Sequence, residues 1–134
     1  MEPRISLITL GVADLERSTT FYRDGLGLPV RPESSPNTIV FIDMGHSWLA
    51  LFPRSELAAD VGVSPAGSGF PGITLAHNVR EREDVDVLLA QASKAGAEIV
   101  RPAHFTDWGG YSGYFKDPDG FPWEVAWNPH FWIG

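Results

Sequence analysis

Two three-residue words occur twice in this chain. Ile8-Thr9-Leu10 returns as Ile73-Thr74-Leu75, and Val30-Arg31-Pro32 returns as Val100-Arg101-Pro102, at offsets of 65 and 70 residues. Self-similarity at a nearly constant offset marks a repeated structural unit, and the hydrophobic patterning around the words agrees. From Ile5 to Val12 the residues are largely β-branched and alternate, with Ile8, Leu10 and Val12 on one face and Leu7, Thr9 and Gly11 on the other, which predicts a strand. Asp14 then caps a helix in which Leu15, Ser18, Tyr22 and Leu26 lie near one stripe, and Gly25 and Gly27 end it. A short strand is expected at Leu28–Arg31. Thr38–Met44 and Ser47–Phe52 follow as a hairpin about Gly45-His46.

The second half has the same order. Ile73–Val79 reads as a strand, and the acidic run Glu81–Asp86 opens a helix whose Val85, Leu88, Leu89 and Ala92 keep i, i+3, i+4, i+7 spacing before Gly96. Glu98–Arg101 is expected as a short strand. Tyr111–Lys116 and Phe121–Asn128 flank Asp117-Pro118-Asp119-Gly120, a type I turn that closes a hairpin. Each half is therefore βαβββ. The reading is a single domain, residues 1–134, with one module at 4–53, a linker at 54–71 and a second module at 72–129. Within the linker, Ser55–Ala59 is expected as a single helical turn. A half of about 60 residues buries too little surface to be comfortable alone, so the two are expected to share one concavity.

Composition narrows the chemistry. With no cysteine among 134 residues, disulfides, thiolate metal sites and a cysteine nucleophile are excluded, and any metal must be held by His, Asp or Glu. The balance of 10 Lys+Arg against 17 Asp+Glu, a net charge of −7, repels phosphate backbones and anionic headgroups, so neither nucleic acid nor a membrane is expected as a partner. No basic segment followed by an apolar run opens the sequence, and no apolar stretch nears the roughly 20 residues of a membrane span. A cytoplasmic protein is the expectation. No Ser-His-Asp spacing, phosphate loop or G-x-G-x-x-G fingerprint is present.

The segment Val12-Ala13-Asp14-Leu15-Glu16-Arg17-Ser18 with Phe21-Tyr22 and Leu26-Gly27, together with Ala95-Gly96-Ala97 and Tyr114-Phe115-Lys116-Asp117-Pro118-Asp119-Gly120 through Trp123-Glu124-Val125, resembles the vicinal oxygen chelate superfamily. That superfamily includes glyoxalase I, extradiol dioxygenases, fosfomycin-inactivating enzymes and bleomycin-resistance drug binders. The resemblance implies an α+β fold of two βαβββ modules forming an eight-stranded, partly open barrel, with the ligand in its concave face, and a homodimer.

It also implies where a divalent metal would sit: inward positions on the first and last strands of each module. Residue by residue, the first falls on Leu7, its counterpart on Thr74 or Gly72, and the last strand of the first module offers Ala50 or a neighbour in Trp48–Phe52. Only Glu124 matches. A catalytic site needs about three protein ligands, so no metal residues are assigned and no cofactor is expected. The leading reading is a glyoxalase/bleomycin-resistance-like protein that binds a small cationic or aromatic molecule without a standard metal site. The alternative is a glyoxalase-like lyase or isomerase, or a dioxygenase, with a divalent metal in a rearranged site or with Glu124 as a metal-free base; His46, His104 and Glu124 would meet only if their loops folded inward.

Glu124, the candidate catalytic residue, alternates with Trp123, Val125 and Trp127 and so shares a face with Ala126. The candidate ligand-binding residues are Trp48, Thr74, Asn78, His104, Trp108, Tyr111 and Tyr114. Trp108-Gly109-Gly110-Tyr111 sets rings beside glycines at the expected mouth. His104 is read as a loop residue at the cavity edge, His77 as packing toward the helix side, and His46 and His130 as surface residues. The apolar tail Trp127–Ile133 is expected to cover a pocket or a dimer partner.

Overall fold

The computed structural model describes residues 1–71 and 73–133, which leaves Gly72, the first residue of the second module and one alternative for the metal position, outside the described residues. It divides into two compact units, Met1–Gly67 and Ser68–Gly134.

In the first unit, strand β1 (Leu7–Val12) leads to helix α1 (Leu15–Thr20), then β2 (Val40–Asp43), β3 (Trp48–Pro53) and helix α2 (Arg54–Val61). The strands form a sheet in the order β1-β3-β2, with β1 parallel and β2 antiparallel to β3. Asp14 caps α1 as expected: its carboxylate accepts a hydrogen bond from the Arg17 N–H at 3.0 Å. The helix runs on as a π-helical turn over Phe21–Gly25, with the Leu26 N–H donating to the Phe21 carbonyl. Phe21 and Tyr22 are buried with Leu10, Val12, Ile42 and Leu51 as the core of this unit.

Two expectations change here. Leu28–Arg31 is not a strand: Val30 makes one isolated bridge to Ile42. Pro29 and Pro32 flank it, and a residue without an N–H cannot extend a ladder. The expected linker helix is longer than one turn. It covers Arg54–Val61 and ends on Gly62, whose φ of 88° is left-handed. Its residues carry almost no apolar stripe, which is why periodicity does not reveal it.

The second unit contains β4 (Leu75–Val79), α3 (Glu83–Lys94), β5 (Glu98–Phe105), β6 (Tyr111–Lys116) and β7 (Pro122–Trp127). The sheet order is β4-β7-β6-β5, with β4 parallel to β7 and the other pairs antiparallel. Helix α3 buries Val85, Leu89 and Ala92, the predicted stripe. It closes with Gly96 at φ 112° and the Ala97 N–H donating back to the Ala92 carbonyl at 2.9 Å. The Asp117–Gly120 turn forms with the Gly120 N–H on the Asp117 carbonyl at 3.0 Å, while the buried Asp117 carboxylate accepts from the N–H groups of Asp119 (2.9 Å) and Phe121 (2.8 Å).

Strand β4 starts at Leu75, opposite Trp123, because the next step back would set Thr74 against Pro122, which has no N–H to give. Strand β5 is longer than expected and reaches Phe105, with register shifts between Ile99 and Arg101 and again between Arg101 and His104. It is the edge strand, where such irregularity accommodates Pro102. His104 thus sits on a strand, not on a loop.

Among the described residues the architecture is α+β, with three α-helices and seven strands in one sheet of three and one of four, neither of them closed into a barrel. The eighth strand of the expected pattern survives as the Val30 bridge. Among the described residues no helix is long and apolar enough to cross a membrane.

Candidate functional site

The register of the four-stranded sheet sorts its side chains into two faces. Helix α3 packs on the face that carries Gly113, Phe115, Trp123 and Val125; a Cβ on Gly113 would come within 2.7 Å of Leu89 Cδ1. Phe115 and Trp123 stack there with ring planes 6° apart. The opposite face carries Ser112 and Tyr114 of β6 and Glu124 and Ala126 of β7, as the predicted alternation of β7 requires.

On this second face the pairings Arg101↔Tyr114, Tyr114↔Glu124 and Ala76↔Glu124 place a guanidinium, a phenol and a carboxylate in one row across three strands. A cavity of about 250 Å³ opens over the row. Its floor is Ser112, Tyr114 and Glu124, with Arg101 and His104 of β5 at one side and Phe105–Trp108 as the rim. Glu124, Tyr114 and His104 are each half-buried, and Ser112 is 2% exposed.

The electrostatics of the row follow from the neighbours. Burial pushes the Tyr114 phenol above its ordinary value, and the Glu124 carboxylate beside it pushes the same way. Tyr114 therefore stays protonated at neutral pH and is a donor. The Nδ1 of His104 lies 3.1 Å from the Pro102 carbonyl oxygen. A carbonyl only accepts, so this nitrogen is the donor.

Trp108 sits on a loop tied to itself. The Thr106 N–H donates to the Gly110 carbonyl (3.0 Å), the Gly109 N–H to the Thr106 carbonyl (3.1 Å), and the Gly110 N–H to the Thr106 hydroxyl (3.0 Å). Gly109 holds φ at 92°, a value that residues with a side chain rarely adopt.

Four candidate residues are brought together: His104, Trp108, Tyr114 and Glu124 all line the cavity. Tyr111 is on the opposite face, and its hydroxyl donates to the Asp86 carboxylate of α3 at 3.1 Å. Asn78 shares the Glu124 face but stands beside Ala126, outside the lining. Thr74 precedes β4 and is exposed. Trp48 belongs to the first unit, where its ring packs on Phe41 at 5.5 Å with the Arg31 guanidinium 4.5 Å above it. His77 alternates with Leu75 and Val79 on the helix side but remains exposed, and His46 and His130 are exposed.

Sequence reasoning missed Arg101, Ser112 and the Thr106-Asp107 rim. The available signal for Arg101 was the repeated word Val-Arg-Pro. Its counterpart Arg31 is consumed by ion pairs to Glu33 (2.7 Å) and Asp43 (3.1 Å), whereas Arg101 borders the cavity.

The residues at the positions where the resemblance implies a metal do not fit one. Leu7 and Ala50 have no lone pairs to donate, Ala50 being fully buried in its sheet, and Thr74 offers only a neutral hydroxyl. Among the described residues no three His, Asp or Glu side chains are grouped to hold an ion. Among the described residues Glu124 is not grouped with the two further ligands that catalytic metal coordination requires.

Comparison with known proteins places the fold. The family model described as the Glyoxalase/Bleomycin resistance protein/Dioxygenase superfamily matches residues 4–125. The chain is 33% identical over 118 residues to the glutathione transferase FosA of Serratia marcescens, covering 88% of this chain and 76% of that protein. It is 29% identical over 116 residues to the uncharacterized protein YraH of Bacillus subtilis (strain 168), covering 84% and 88%. Among solved structures, a glyoxalase-related enzyme from Fulvimarina pelagi superposes with a TM-score of 0.89 at 39% identity, over 98% of this chain and 93% of that one. The Asp-Leu-Glu-Arg-Ser and Asp-Pro-Asp-Gly segments and these matches agree: the chain belongs to the glyoxalase/bleomycin resistance protein/dioxygenase superfamily.

Proposed function

We propose that the cavity over Glu124 binds a small, flat, cationic molecule, and that the protein acts as a metal-independent member of its superfamily. One observation carries the reading: a half-buried carboxylate, Glu124, forms the floor of a cavity whose rim is the indole of Trp108. A ring stacks on the indole while its cationic group meets the carboxylate, the two requirements of aromatic cation recognition. At about 250 Å³ the cavity lies at or below the lower end of the roughly 300–1,000 Å³ usual for drug-sized ligands, which favours a single ring. Asp107 at the rim adds a second negative charge against the one guanidinium of Arg101. The homodimer and the cytoplasmic location belong to this proposal.

Benzamidine, a single ring with a cationic amidinium, is the probe. Calorimetric titration is expected to give saturable binding that Glu124→Gln weakens about 10- to 100-fold, the worth of a charge-assisted hydrogen bond. Affinity unchanged in both Glu124→Gln and Trp108→Ala would remove the basis of the reading.

A second reading, an enzyme with Glu124 as base, is favoured by the protonated Tyr114 next to it, which makes a donor and an acceptor adjacent on one floor. The relative named glutathione transferase points the same way. Under that reading Glu124→Gln abolishes turnover and spares binding.

A further inference from the structure

We infer that His130, from the tail beyond β7, is a positioning residue that clasps the Trp108 loop and so sets which ring sizes the cavity accepts. This rests on the reading of the cavity as a binding site.

The clasp has two parts. The Nε2–H of His130 donates to the Trp108 carbonyl at 2.8 Å, and the His130 N–H is itself held by the Asn128 side chain at 2.8 Å. Downstream, the Arg80 guanidinium lies 4.4 Å over the Trp132 ring, so the tail is pinned on both sides of Phe131. Under the indole the packing is equally specific. A Cβ on the buried Gly110 would overlap Cζ3 and Cη2 of Trp108 and approach the Trp127 carbonyl oxygen to 2.7 Å. The indole therefore rests on the bare Cα of Gly110, and it has no room to sink further toward the sheet. The bond from His130 fixes the backbone of the same residue from the other direction. Even so, Trp108 stays 45% exposed, so packing alone does not immobilise it. A Cβ on Gly109 would stand 3.3 Å from His130 Nε2, a tight contact against the clasp.

With the clasp intact, the wall is spaced for one ring; released, the loop moves outward and a wider ligand is accepted. His130 is exposed, so its replacement is expected to leave the fold intact. The test reads Trp108 directly, as the difference in acrylamide quenching between each variant and the same variant carrying Trp108→Phe, alongside the affinities for benzamidine and 2-naphthamidine. His130→Ala is expected to raise Trp108 quenching and to weaken benzamidine about 2- to 10-fold, the range of one hydrogen bond, while 2-naphthamidine is held or improved. His130→Gln, whose amide also donates, is expected to restore both. Unchanged quenching in His130→Ala overturns the clasp. Parallel losses for both probes overturn its role in selection. If benzamidine affinity is untouched in both Glu124→Gln and Trp108→Ala, the binding reading fails separately, and the quenching of His130→Ala still decides whether the clasp exists.

Discussion

Ser18 shows how much can turn on one hydroxyl. It belongs to the Asp-Leu-Glu-Arg-Ser segment that marks the superfamily likeness, yet its side chain is fully buried and its Oγ has no partner among the described residues. A buried, unsatisfied hydroxyl costs about 1–3 kcal/mol, so Ser18→Ala is expected to hold or raise stability by about 1 kcal/mol, read from the urea midpoint. Asp117 is the opposite case. Its buried carboxylate takes the N–H groups of Asp119 and Phe121, and Asp117→Ala strands both donors. A loss of about 2–3 kcal/mol is expected in the same assay. The turn residues were legible because Pro and Gly announce their conformations locally. Glu124 was legible as a candidate because alternation assigns faces, whereas Arg101 reaches the cavity lining through its pairing with Tyr114 across the strands.

Among the elements, prolines account for most of the differences between the expected and the observed strands. Pro29 and Pro32 reduce an expected strand to one bridge, and Pro102 coincides with the register shifts of β5. A period-two pattern reports which residues face inward, but it does not count the N–H groups available to the ladder. Helix α2 was under-read for a different reason: it has almost no apolar stripe, so only its tertiary setting shows its length. The seam between α3 and β6 is tight enough to test. A Cβ on Gly113 would meet Leu89 Cδ1 at 2.7 Å and backbone atoms of β5 at 3.0 Å, so Gly113→Ala is expected to destabilise by about 1–3 kcal/mol as an overpacked contact.

The Val30 bridge region is also electrostatically tied. The Gly45 N–H and then Arg31 hold the Asp43 carboxyl below its usual value, and Arg31 does the same for Glu33. Folded-state values that are lowered contribute stability above the unfolded values of about 4. That contribution is lost as pH falls through the folded values. Acid titration of the urea midpoint is expected to show the decline, and Arg31→Met to flatten it.

For the molecule as a whole, the missing ligand set is the decisive departure. Protein purified without chelator is expected to show no stoichiometric Ni, Zn, Mn or Fe by elemental analysis; near-stoichiometric metal would overturn the metal-independent reading. The exposed tail residues Phe131 (59%) and Ile133 (66%) add a large apolar edge, and light scattering is expected to report a dimer. The sequence by itself determined the superfamily, the turn chemistry, seven of the eight expected strands and the place of Glu124 as the one carboxylate among the positions the resemblance singles out. All of these depend on residue type and local spacing. Only the tertiary structure decided that Tyr111 turns to α3 while Tyr114 turns to the cavity, that Arg101 and Ser112 join Glu124, and that His130 reaches the Trp108 carbonyl. These depend on strand register and on contacts between residues far apart in the chain, and a one-residue shift in register sends a side chain to the other face.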